Sequence, residues 1–150
     1  MIELTKKRMN MSLSKALITS SLLLLTSISI AELPRSSSPA GAQAYIVSPQ
    51  DGDIVSSPVT VIFGLKGMGV SPAGVERAET GHHHLLVDAK QLPPLDVPMG
   101  AQVKHFGGGQ TQTELELKAG EHSLQLILGD HFHIPHDPVV VSKKITIHVK

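Results

Sequence analysis

The 150-residue chain contains no cysteine and no tryptophan, and its aromatic residues amount to one tyrosine and three phenylalanines. Without cysteine there is no disulfide, no thiolate to ligate a metal and no attachment point for a lipoprotein anchor. Stability must therefore come from a core of aliphatic side chains. A long hydrophobic run is also missing. The uncharged stretch Ala16 to Ala31 is sixteen residues, short of the ~20 that a membrane-spanning helix needs. Lys6, Lys7, Arg8 and Lys15 precede it and the small residues Ser29-Ile30-Ala31 close it. This is the pattern of a secretory signal peptide over residues 1–31, which predicts a periplasmic or secreted protein with no membrane span after cleavage.

Beyond residue 31, nine Lys or Arg face twelve Asp or Glu, so a strong charge of either sign is absent and nothing points to nucleic acid as a partner. The remaining stretch of roughly 120 residues suits one domain. Signatures of catalysis are equally scarce. There is no GxSxG nucleophile elbow and no pair of carboxylates in an acid and base context, and the glycines Gly107, Gly108 and Gly109 are not followed by the Lys-Ser or Lys-Thr of a phosphate-binding loop. A non-enzymatic protein is expected.

What is present is short β structure. Residues 32–44, rich in Pro, Ser, Gly and Ala, read as a flexible leader. From residue 45 to residue 150, runs of Val, Ile and Leu alternate with Pro and Gly clusters. They predict strands near Tyr45 to Val47, Val59 to Leu65, His83 to Val87, Thr111 to Leu117, His122 to Leu128 and Val139 to Val149, the last broken around Ser142, with a short one at Val103 to Phe106. Leu115 and Leu117 alternate with Glu114 and Glu116, and Ile145, Ile147 and Val149 with Thr146 and His148, which gives each strand one wet face. Six or seven such strands predict an all-β, immunoglobulin-like β-sandwich. A small β-barrel is the alternative.

All nine histidines lie beyond residue 31, and most fall in two groups: GHHH at residues 81–84 and GDHFHIPHDP at residues 129–138. In a sandwich, the strand beginning at the first group and the strand ending at the second lie side by side and antiparallel, so the two groups meet at one rim. Residues two apart in an extended chain face the same way. His82 with His84, and His131 with His133, can thus present paired rings to one ion, with His136 and His105 as additional ligands. Asp130 and Asp137 are candidates to accept the second ring N–H of a ligand. His83 shares a strand face with Leu85 and Val87, which suits a core position beside the site. Gly107, Gly108, Gly109 and Gln110 form a tight loop near His105. Imidazoles without thiolates suit Cu(II) or Zn(II), copper first by the divalent affinity order. The competing reading is a polar network without metal, serving a cell-envelope interaction module whose partner is another envelope protein. A metal enzyme with an open coordination position is a third.

The segments GLKGMGVSPAG, TGHHHLLVD, HFGGGQT and LILGDHFHIPHDP, taken in this order, closely resemble the family catalogued as domain of unknown function 4399, small exported bacterial domains. The resemblance covers Tyr45 to Lys150. It carries His82, His83, His84, His105, Gly107, Gly108, Gly109, Gln110, Asp130, His131, His133, Pro135 and His136 as family positions and implies no agreed activity. The expected sandwich also looks like that of periplasmic copper carriers, which often bind through an N-terminal histidine. Cleavage after Ala31 would leave Glu32 first, so any ion here must be held inside the fold.

Overall fold

The computed structural model describes residues 34–150; the expected signal peptide and the first two leader residues lie outside the described residues. Nine strands follow in order: β1 (Gln43–Ser48), β2 (Ile54–Val55), β3 (Val59–Lys66), β4 (Gly69–Val70), β5 (Thr80–Val87), β6 (Lys104–His105), β7 (Gln112–Leu115), β8 (Gly120–Gly129) and β9 (Ile145–Val149). There is no helix among the described residues, and the strands form two open sheets that do not close into a barrel. The smaller sheet has the order β1-β3-β7; the larger runs β2-β9-β8-β5-β4, with β6 also paired to β5. The protein is an all-β sandwich.

The alternation that marks the strands also packs them. Val59, Val61 and Phe63 point inward from β3, and Leu124, Leu126 and Leu128 from β8. They meet Leu85, Leu115, Ile147 and Val149 in the main core between the sheets. The larger sheet has a second apolar face. Leu86 of β5 and Ile127 of β8 pack outward against Met99 and Val103, with Leu92 and Leu95 around them. The connection between β5 and β6 therefore covers the outside of the sheet. Because side chains on an extended strand alternate between faces, β5 sends His83 and Leu85 into the main core, and sends His82, His84 and Leu86 to the covered outer face.

The break expected around Ser142 in the last strand is present, and that strand is regular only from Ile145. Before it, Ser142 takes the place of a ladder: its amide donates to Leu126 O and its hydroxyl accepts from Leu126 N, each at 2.9 Å. A side-chain hydroxyl offering the neighbouring backbone a partner competes with regular pairing. The expectation of a free leader is the one that needs correction: its described part, residues 34–44, is held. Ser38 N donates to Asp137 O and Asp137 N to Ser36 O, both at 3.0 Å, and β1 begins at Gln43. Low hydrophobicity hid this order, because the partners are backbone groups about a hundred residues away.

Candidate metal centre

The antiparallel pairing of β5 with β8 sets His82 opposite Gly129 and His84 opposite Ile127, and β6 lays His105 beside His84 on the other edge of β5. The turn after β8 brings in His133. His82, His84, His105 and His133 each offer a ring nitrogen, and these atoms all lie within 4.8 Å of one another. The six ring-centroid separations run from 4.6 to 5.9 Å. His82 and His84 are buried, His133 is half-buried and His105 faces solvent, so the group has a closed floor and one open side. Such a group can hold a metal ion.

The hydrogen bonding is incomplete in an informative way. His82 Nε2 and His133 Nδ1 are 3.0 Å apart and share one hydrogen bond. His82 Nδ1 and both ring nitrogens of His84 are buried with no partner. Buried polar atoms are nearly always paired, and leaving one unpaired costs about 1–3 kcal/mol. Burial pushes His82 down to about 4, helped by the neighbouring His133 and His105, and pushes His84 down to about 3, helped by His82 and His105. Burial likewise lowers His133, with His105 adding to it. The buried rings are thus neutral near neutral pH, the state in which imidazole ligates metals.

Glycines make the room. A Cβ on Gly129 would lie 2.7 Å from His84 Cε1 and 2.8 Å from the Met99 methyl, and one on Gly107 would lie 2.3 Å from His105 Cε1. A Cβ on Gly81 would meet Gly129 O at 2.5 Å and His136 Cε1 at 2.8 Å. The remainder of the loop is a tight turn: Gly109 has φ +81°, its amide donates to Phe106 O, and Gly108 N donates to Gln110 Oε1.

Several expected site residues fall elsewhere. His131 and His133 do not share a face, because the rule of two holds only for extended backbone and His133 sits at φ +65° in a turn. His131 packs on Phe132, ring centroids 4.1 Å apart. His136 turns away from the cluster and donates from Nε2 to Thr80 O at 3.1 Å. Both line a separate cavity of about 360 Å³ with Ser36, Arg77 and Asp130. Asp130 takes no ring N–H; its Oδ1 accepts from Phe132 N and Ile134 N and its Oδ2 from Ser36 Oγ. Burial alone would raise its carboxyl, but these three bonds outweigh it and hold the group below the usual carboxylate range. Asp137 is exposed and pairs with Arg35 at 3.5 Å. His83 lies on the core side of β5, its ring 5.2 Å from that of Phe63. Ser36, Arg35 and Met99 carried no signal in sequence, since nothing in their local pattern announces partners so distant.

Fold and site together define a β-sandwich domain with a four-imidazole group on the outer face of its larger sheet. The chain belongs to the family described as Domain of unknown function (DUF4399), whose model matches residues 61–150 and so includes all four histidines. No curated protein and no solved structure matches it.

Proposed function

We propose that this is an exported, non-enzymatic domain of the periplasm that holds one divalent transition metal, copper first and zinc second, through His82, His84, His105 and His133. The observation that carries the reading is the convergence of four ring nitrogens, from His82, His84, His105 and His133, within 4.8 Å of one another; missing hydrogen-bond partners alone do not mark the site, since both ring nitrogens of His83 on the core face lack them as well. For His82 and His84, an ion shared with the two neighbouring rings supplies the partner that their buried nitrogens lack. Metal–imidazole bonds are about 2.0–2.1 Å, so an inward movement of the rings from separations within 4.8 Å would close the set around one ion. A donor set of imidazole alone suits Cu(II) and Zn(II), and the divalent affinity order ranks copper ahead. The reading of residues 1–31 as a signal peptide supports the location.

Calorimetry and thermal melting of the chelator-treated protein, titrated with Cu(II) and Zn(II), test this. Ion at a thousand times the dissociation constant stabilises by about 4 kcal/mol. The double variant His82→Ala, His133→Ala is expected to lose that gain entirely while remaining folded. Equal binding by the double variant and the wild type defeats the assignment, and binding by neither leaves the interaction module as the reading of the same surface.

A further inference from the structure

We propose that Ser36 is a positioning residue for the histidine cluster, and that the segment Arg35 to Ser38 is a clamp on the turn that delivers His133. This rests on the metal reading above for its consequence, though not for its geometry. The turn is organised around one buried carboxylate. Asp130 Oδ1 accepts from the amides on either side of His133, Phe132 N at 2.9 Å and Ile134 N at 3.0 Å, while its backbone oxygen accepts from His133 N at 2.9 Å. Its other carboxylate oxygen, Oδ2, is 2.8 Å from Ser36 Oγ, which donates to it.

The clamp is itself fastened along its length. Arg35 Nε donates to Pro135 O at 2.9 Å, and a terminal guanidinium nitrogen of Arg35 donates to His136 O. Ser36 O accepts from Asp137 N, Ser38 N donates to Asp137 O, and Ser38 Oγ donates to Pro138 O at 2.6 Å. One side of Asp130 thus grips the turn and the other side grips the clamp. His133 needs that grip. A side chain at φ +65° stays in the left-handed region only where its surroundings over-determine it. Without the Ser36 hydroxyl, Oδ2 is a buried oxygen lacking its partner, and the carboxylate is free to turn away from the two amides. The ring of His133 then leaves its place 3.0 Å from His82, although every ligand is still present. Groups that orient a metal ligand typically govern affinity by about 10–100-fold.

The test compares Ser36→Ala with Ser36→Thr, which retains a hydroxyl. In metal-free protein, amide hydrogen exchange at Phe132 and Ile134 is expected to accelerate in Ser36→Ala and to stay near wild type in Ser36→Thr. In Cu(II) titrations, Ser36→Ala is expected to bind about 10–100-fold more weakly, with altered copper hyperfine splitting, and Ser36→Thr to restore both. Unchanged exchange in Ser36→Ala overturns the clamp whatever the metal does. Faster exchange with unchanged Cu(II) affinity and spectrum overturns the positioning role. Faster exchange in a protein whose wild type takes up no ion supports the clamp and defeats the metal reading alone.

Discussion

Strand β8 has a histidine near each end of its surroundings, and the two ends treat the imidazole in opposite ways. At its start, His122 has both ring nitrogens occupied: Nδ1 lies 2.8 Å from Asp88 Oδ2 and Nε2 lies 2.9 Å from Lys118 O. The hydrogen bond that His122 donates to Asp88 raises His122 above the ordinary histidine value. At its finish, His82 sits opposite Gly129 and His84 opposite Ile127, buried, lowered and short of partners. One end is a completed structural contact. The other keeps uncharged donors unpaired beside one another, which a fold tolerates only at a cost in stability.

Acid should separate the two ends most strongly. His82 and His84 are lowered from 6.5 to about 4 and about 3, so the unfolded chain takes up protons at a higher pH than the folded one. Their contribution to the stability of the metal-free protein is full above pH 6.5, falls as pH drops below it, and is lost as pH passes through the folded values. The loss is read as a drop in melting temperature between pH 7 and pH 4. The His122–Asp88 pair runs the other way on its histidine side: a raised value stabilises below 6.5 and is lost as pH climbs through it. Asp88 is lowered, since the hydrogen bonds from His122 and Ser123 outweigh its burial, so its share disappears only in acid.

Next in size is Gly81→Ala. The new methyl would meet a backbone oxygen of β8 at 2.5 Å, and a ladder partner cannot swing aside as a flexible side chain does. Denaturant melts should show a loss of about 3 kcal/mol, together with loss of metal uptake, because the pairing that presents His82 is what must yield. Full stability in this variant would mean that the two strands are not held at the stated separation.

The smallest effects bear on the comparison most directly. His84→Leu replaces two unpartnered nitrogens with apolar volume, so metal-free stability should be unchanged or slightly raised while metal binding is lost. His122→Ala should lower stability by about 1 kcal/mol or less, its partner being half exposed, and leave metal binding at the wild-type level. A thermal shift assay with and without Cu(II) reads both. If the two substitutions behave alike, the contrast between the ends of the sheet is mistaken.

Much of this was legible in advance, and the limits are physical. Alternation identified β7 and β9 as strands, runs of Val, Ile and Leu identified β3 and β8, and the spacing of His82 and His84 placed them on one face, because an extended backbone repeats every two residues. The same rule, applied to His131 and His133, failed where the backbone ceased to be extended. His105, expected as an additional ligand on a short strand over Val103 to Phe106, stands in the cluster on the two-residue β6. Ser36 lay in a stretch whose composition suggests disorder, and its value comes wholly from Asp130, 94 positions later.

The sequence by itself determined that strands form, which β5 residues share a face, that no thiolate or disulfide takes part, and that imidazole dominates the available chemistry. Only the tertiary structure decided which four imidazoles converge, that they do so on the outer face of the larger sheet, and that residues before the first strand hold the turn in place. Local pattern reports the conformation of a few neighbouring residues; a site assembled from three distant segments depends on how strands pair and where a turn reverses, and those are settled by packing across the whole domain.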